Sequence, residues 1–305
     1  MKLGEIPRRE LRALAAQGEL HYRTGPFNIK LRSEIPDFLD TLADSYAASE
    51  LLPATDTAHF RITMRPVTGV RQWLRPQVQF EVDEMVPFEP YPLDHAFPMY
   101  EWGVNWCIGT TGHIYLILHS AVVEKQGQGL ILPAVPGSGK STLCAGLVSR
   151  GWRLLSDEFA IIRHADGALM PVPRAAPLKN ESIDIIRQYA PNLALGPQFD
   201  RTRKGTVVHM RPPADDLMRQ GEPVQPRWVI FPKYGNGQAT RLEPLGRGMA
   251  LTRLSNNSFN YQVTMEAGFR SLVRLARGVD CYELPNGDLD EAVSAIDALL
   301  PGAQA

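Results

Sequence analysis

The stretch Ala134-Val135-Pro136-Gly137-Ser138-Gly139-Lys140-Ser141-Thr142 follows directly on the apolar run Leu130-Ile131-Leu132 and decides the fold. A short apolar strand, a glycine-rich loop and Lys-Ser opening a helix make a phosphate-binding loop. Glycine at 137 and 139 permits positive φ, so the backbone can close around an anion. The amides from Gly137 onward then face phosphate oxygens, aided by the positive end of the helix dipole. Lys140 is expected to reach the β- and γ-phosphates, and the Ser141 hydroxyl to hold Mg²⁺. Pro136 has no N–H and stiffens the loop without donating. The expected nucleotide-binding residues are thus Val135, Pro136, Gly137, Ser138, Gly139, Lys140, Ser141 and Thr142, with ATP and Mg²⁺ as ligands. The usual pattern begins with Gly, and Ala134 stands there instead. Leu143 and Leu147 at i, i+4 spacing, with Gly151 as a stop, predict the helix that follows.

An acidic pair arrives soon after the loop. Gly151 to Ile162 reads as one strand, and within it Asp157 lies 17 positions after Lys140, with Glu158 next. His164-Ala165-Asp166-Gly167 is a turn signal, and Ala168 to Val172 reads as the returning strand. That is a β-hairpin and not a βαβ crossover, so antiparallel pairing is expected around the nucleotide site. Upstream, Ile114 to Val123 predicts a strand carrying His119, joined by the polar turn Glu124 to Gln128 to the strand that feeds the loop. A lone His in a strand is more often a satisfied core residue than a functional one.

Phosphoryl transfer passes through a loose, charge-rich transition state, so catalysis is mainly positioning and charge stabilisation. Lys140, the loop amides and Mg²⁺ would supply the positive charge. A hydroxyl nucleophile must shed a proton, and Asp157 is the expected general base. Neighbouring strand residues point to opposite faces, so Asp157 and Glu158 cannot both face the phosphate unless the strand ends or bulges there. Glu158 is held as a contact to Mg²⁺ or to substrate. A solvated strand end is the structural alternative for the pair. Arg201, Arg203 and Lys204 stand in a polar stretch from Gly196 that reads as a loop before the strand Thr206 to Met210. They fit either a basic loop closing over a substrate or a plain solvated cluster. Lys179 and Asn180, before a helix over Glu181 to Gln188, divide in the same way.

The order strand-His, hairpin, phosphate loop, helix, Arg-Gly and strand with two acids resembles HPr kinase/phosphorylases. The residues are His119, Pro136 to Ser141, Arg150-Gly151 and Ser156-Asp157-Glu158. The resemblance is clear over about residues 110 to 163. The family usually has Asp-Asp where this chain has Asp157-Glu158. It implies the phosphate-loop fold shared with phosphoenolpyruvate carboxykinases, with His119 beside Asp157 to orient it or tune its acidity. Trp102 to Cys107, Leu178 to Ile183, Lys204 to Val207 and His209 to Pro213 resemble one branch, the HPr kinase-related proteins of subfamily A. That branch implies a bacterial gene-cluster setting with a small peptide-chaperone-like partner. HPr kinases form rings of subunits, so the resemblance also implies a homo-oligomer.

The chain has 305 residues, 44% of them hydrophobic, enough for a packed core. Net charge is -1 with no basic tract, which argues against nucleic acid as a partner. Cys107, Cys144 and Cys281 are scattered without metal spacing, as expected in a reducing cytoplasm. The N-terminus lacks an apolar signal core, and no run approaches the roughly 18 apolar residues of a membrane span.

The expected fold class is α/β: a phosphate-loop kinase domain with a mixed, partly antiparallel sheet over 97–305, and a smaller α+β module over 1–96. In that module Arg8 to Gln17 and Ile35 to Ala47 read as helices. His21 to Leu31 reads as a hairpin, and His59 to Met64 and Gln77 to Val82 as strands. Dense proline from Pro87 to Pro98 reads as a linker. Phe97 to Ile108 reads as a buried helix with Trp102 and Trp106 in the core. The C-terminal third reads as strands at Trp228 to Phe231 and Asp280 to Leu284, with helices at Gly246 to Leu254, Glu266 to Ala276 and Leu289 to Leu300. Ser255 to Asn260 reads as a polar loop. The function expected is ATP- and Mg²⁺-dependent transfer of a phosphoryl group to a hydroxyl on a small molecule or a carrier-protein serine. The alternatives are a nucleotide-gated binding protein with slow hydrolysis and a non-catalytic relative, against which the intact Lys140-Ser141 pair argues.

Overall fold

The computed structural model describes residues 1–69, 74–133, 135 and 137–302; Ala134 and Pro136 of the loop lie outside the described residues. The chain opens with α1 (Arg8–Gln17), β1 (Leu20–Thr24), β2 (Phe27–Ser33), α2 (Pro36–Ser45), β3 (Phe60–Pro66), β4 (Gln77–Val82) and β5 (Tyr91–Pro92). Each boundary has a local cause. Gly18 closes α1 in a left-handed turn at φ 73°, and Pro36, whose missing N–H costs nothing there, starts α2. The five strands pair in sequence order, antiparallel except for β2 with β3. Phe27, Ile29 and Leu31 alternate into the core, as a half-buried strand requires.

The Pro87 to Pro98 stretch is not a free linker. Tyr91 pairs with Val78, Gln79 donates from Nε2 to the Phe88 carbonyl at 2.7 Å, and Phe88 stacks on Trp102 at 5.6 Å between ring centroids. The aromatic rings anchor what the prolines keep out of a strand ladder. From there α3 (Ala96–Thr111) runs across the sheet, as the aromatic run predicts. One apolar core joins α2, α3 and the five-stranded sheet to Ile117, Phe159, Ile161 and Val172 of the second half of the chain.

The second half supplies β6 (Tyr115–Lys125), β7 (Gln128–Pro133), α4 (Lys140–Ser149), β8 (Arg153–Ser156), β9 (Phe159–Arg163) and β10 (Leu169–Met170). Then come β11 (Ala176–Lys179), α5 (Glu181–Tyr189), β12 (Leu195–Thr202), β13 (Gly205–Met210) and α6 (Ala214–Met218). Last are β14 (Gln225–Tyr234), β15 (Glu243–Pro244), α7 (Arg247–Asn256), α8 (Tyr261–Gly278), β16 (Asp280–Asn286) and α9 (Leu289–Asp297). The main sheet has eight strands in the order β10-β9-β6-β7-β14-β16-β15, with β8 also on β6. Only β7, β14 and β16 run parallel to one another; β6, β8, β9, β10 and β15 pair antiparallel. The mixed, partly antiparallel α/β architecture expected from the early hairpin is the one observed.

Strand alternation feeds two cores. Ala121, Val123, Leu130, Leu132 and Ile230 face Leu143 and Leu147 of α4 and Val293 and Ile296 of α9. Val122, Ile131, Val229 and Phe231 face Leu254 of α7 and Leu272 and Leu275 of α8. Each such leucine removed from water contributes about 1.5–3 kcal/mol before entropy is counted. A small sheet, β11-β13-β12, stands beside α5. Here the reading of Gly196 onward as a loop is corrected. Leu195–Thr202 is a strand, although its polar residues hide the pattern, because it pairs with β13 through two register shifts. Arg203 and Lys204 form the tight hairpin end that precedes Gly205. The run Ser255 to Asn260 packs on the edge of β6 beyond β7: Asn260 accepts from the Ile117 N–H at 2.9 Å and donates to the Tyr115 carbonyl at 2.8 Å. It satisfies the backbone of the stretch of β6 that β7 does not reach, which explains its polarity. No helix among the described residues is long and apolar enough to cross a membrane.

Candidate active site

β7 ends at Pro133 and α4 begins at Lys140, so the glycine-rich loop spans the gap between a central parallel strand and a helix N-terminus. Gly137 has φ 86° and Gly139 φ 83°, the left-handed values anticipated for a loop folding round an anion. Tyr234 at the end of β14 braces it, donating its N–H to the Ser138 carbonyl at 3.2 Å. Val135 is exposed, Ser138 is buried with its hydroxyl unpartnered, and Thr142 lies in the first turn of α4.

The segment from Gly151 to Ile162 is two strands and not one. β8 and β9 both pair antiparallel with β6, with Ser156 opposite Val122 and Phe159 opposite His119. Asp157 and Glu158 bulge out between them. The Ser156 hydroxyl holds the bulge by accepting the N–H groups of Glu158 at 3.2 Å and Phe159 at 3.0 Å. The bulge releases the two acids from strict alternation.

Asp157 is buried, at 3% exposure. Its Oδ2 accepts from the Ser141 hydroxyl at 2.8 Å, and its Oδ1 lies 3.5 Å from Lys140 Nζ without a hydrogen-bond partner. Lys140 also donates to the Asp157 carbonyl. Burial raises the Asp157 pKa above the usual carboxylate range; Lys140 pulls it down and Glu158 pushes it up again. Burial works against the Lys140 charge, but Asp157 and Glu158 outweigh it and raise its pKa. Glu158 is half-buried and differs: burial alone would raise it, yet Lys140, His119, Lys179 and Lys204 together hold it below the usual range. Burial, with Lys140 adding to it, lowers the His119 pKa and favours the neutral ring.

His119 sits on β6 with its ring edge-on to Phe259 at 5.8 Å, and among the described residues its ring makes no hydrogen bond to either acid. Lys179 stands at the end of β11, and burial, with Lys204 nearby, lowers its pKa. Asn180 has φ 50°, accepts the Thr206 N–H on its Oδ1 at 3.1 Å and donates its own N–H to Thr206. Its side-chain oxygen is thus not free: it joins α5 to β13. Trp102 is likewise not plain core. It is half-buried, and both Arg203 and Lys204 lie over its ring, at 5.8 Å and 5.5 Å from the centroid.

Beside the loop lies a cavity of about 440 Å³, lined by Gly139, Thr142, Tyr189, Tyr234, Asn286 and Leu289 among others. Tyr189, Tyr234, Asn286 and Leu289 escaped the sequence reading because they come from four separate elements. Tyr234 directly before Gly235-Asn236-Gly237 was the one available signal. Among the described residues no cluster of three or more His, Cys, Asp or Glu could cage a metal. Mg²⁺ rarely needs such a cage, since one or two carboxylates and the substrate phosphates suffice. The oxygen donors of Ser141, Asp157 and Glu158, with Asp157 Oδ1 buried and unpartnered, fit that requirement.

No family model matches the chain. Over 53 residues, 17% of its length, it is 38% identical to the HPr kinase/phosphorylase of Clostridium botulinum strain Eklund 17B, and equally to that of strain Alaska E43. The chain spans 17% of the length of those curated relatives. The solved HPr(Ser) kinase/phosphatase of Coxiella burnetii aligns with 60% of this chain and 95% of its own at 10% identity and a TM-score of 0.26.

Proposed function

We propose that this chain, related over one stretch to HPr kinase/phosphorylases, is an ATP- and Mg²⁺-dependent phosphotransferase acting on a hydroxyl. The observation that carries the reading is the contact of Asp157 with both Lys140 and Ser141 across a loop whose glycines have positive φ. In it the loop amides and Lys140 hold the phosphates, and the cavity beside Gly139 and Thr142 takes the base, with Tyr189 and Tyr234 as stacking surfaces. Ser141 and Glu158 would hold Mg²⁺, which screens phosphate charge when bound. Asp157, whose burial keeps its pKa raised, takes the proton from the attacking hydroxyl. His119, held edge-on against Phe259, tunes Glu158 through its charge rather than by a hydrogen bond.

A second assignment has a specific observation behind it. Asp157 is the acid bonded to Ser141, whereas Glu158 lines a separate cavity with Lys179 and Lys204. In that version Asp157 serves the metal and Glu158 is the base. Incubation with γ-labelled ATP and host lysate fractions tests the reading. Labelled product is expected with the native chain. Asp157→Asn should cut transfer by about 10²–10⁴-fold while a fluorescent ATP analogue still binds. Wild-type transfer by that variant would remove Asp157 from both assignments. The nucleotide-gated alternative predicts no labelled product but partner affinity that changes with nucleotide.

A further inference from the structure

Glu158 opens onto a cavity of about 70 Å³ whose walls come from both halves of the chain: Lys179, Arg203, Lys204 and His209 from one, Trp102 and Tyr91 from the other. At about 10–15 Å³ for a water-sized group, it has room for about five to seven such groups. Among the described residues, no carboxylate oxygen lies within 4.0 Å of the charged groups of Lys179, Arg203 or Lys204. Glu101, the other acid in the wall, is already taken: it accepts from Arg174 and from the Tyr46 hydroxyl, each at 2.7 Å. Three cations therefore face one available acid.

These cations are held in place. Arg203 lies over the Tyr91 ring at 5.5 Å from the centroid and donates its backbone N–H to the Tyr91 hydroxyl at 2.9 Å. Lys204 lies over Trp102. Aromatic faces fix the charges at little further entropic cost to a ligand. His209 is buried at 4% exposure, and its Nδ1 has no partner within the protein. A buried ring nitrogen without a partner beside a cavity calls for a ligand donor or acceptor.

We propose that this cavity holds the acceptor, and that the acceptor is a small organic anion bearing a hydroxyl, of the size of a three-carbon hydroxy acid. The inference rests on the phosphotransferase reading and names its substrate class. The acid group lies among Lys179, Arg203 and Lys204, and the hydroxyl faces the acid pair. The hydroxyl oxygen bonds to the γ-phosphorus, the bond from that phosphorus to the β,γ-bridging oxygen breaks, ADP leaves with that electron pair, and the hydroxyl proton passes to the carboxylate. The acid group needs its own space beside the hydroxyl, and the volume of about 70 Å³ next to Trp102 and Tyr91 matches a free small molecule.

The test uses the full chain and D-glycerate as probe, with glycerol as its neutral counterpart. Calorimetry without nucleotide should show glycerate binding at least tenfold tighter than glycerol. Lys204→Met, which keeps the apolar stem on Trp102, and Arg203→Met should each weaken glycerate at least tenfold with the melting temperature unchanged. Equal binding of the two probes, indifference of both variants, or γ-label passing only to a protein would overturn the assignment. A wild-type chain that binds glycerate but no ATP analogue would instead sink the phosphotransferase reading and leave the anion site standing.

Discussion

Asp157 and Glu158 are neighbours in sequence whose acidities move in opposite directions. The cause is burial at Asp157 and the surrounding cations at Glu158. This gives a pH test of which one is the base. A base acts deprotonated, so turnover rises with pH through its folded-state pKa. If Asp157 is the base, the acid limb lies above the ordinary Asp value of about 3.9. Glu158→Gln then removes a repelling charge and moves that limb to lower pH. If Glu158 is the base, the limb lies below the ordinary Glu range, and Glu158→Gln abolishes it. A kcat profile on the two proteins distinguishes them. At this scale the loop residues were legible in sequence, because a phosphate loop needs specific residue types at fixed spacing. The anchoring role of Asn180 was not, since the amide that it accepts lies 26 positions away.

The bulge between β8 and β9 is the element that makes two adjacent acids usable. Ser156 holds it with one hydroxyl for two N–H groups. Ser156→Ala should leave both N–H groups without that acceptor and cost about 1–3 kcal/mol, read from the urea midpoint. Transfer should fall by more than the stability loss explains, because the acid pair loses its position; normal turnover in a destabilised variant would show that the bulge is not needed. The need for a break was readable from strand alternation, but not its exact form, which depends on pairing with β6. The β12–β13 hairpin was missed for a related reason. Polar residues at Gln198, Asp200 and Arg201 mask a strand whose partner, β13, carries most of the apolar signal.

Across the whole molecule, an apolar core and a buried ion pair tie the two ends of the site together. Arg174 and Glu101 meet at 2.7 Å with side chains 9% and 6% exposed, and Tyr46, the residue that caps the C-terminus of α2, joins them. Glu101→Ala leaves a buried guanidinium without its carboxylate, so a loss of about 3–5 kcal/mol is expected in the unfolding midpoint. A loss below about 1 kcal/mol would mean that water replaces the partner. The individual helices and strands of the first hundred residues were foreseeable from periodicity. Their packing against Ile117 and Phe159 was not, since nothing local in either segment encodes the other. One consequence lies in how the pocket is assembled. Trp102 and Tyr91 belong to one stretch of chain, the phosphate cradle to another, and the cations to a third. If this pocket admits the acceptor, substitutions on the aromatic wall retune which molecule enters and leave the phosphate cradle intact, so a descendant could change diet without rebuilding its engine.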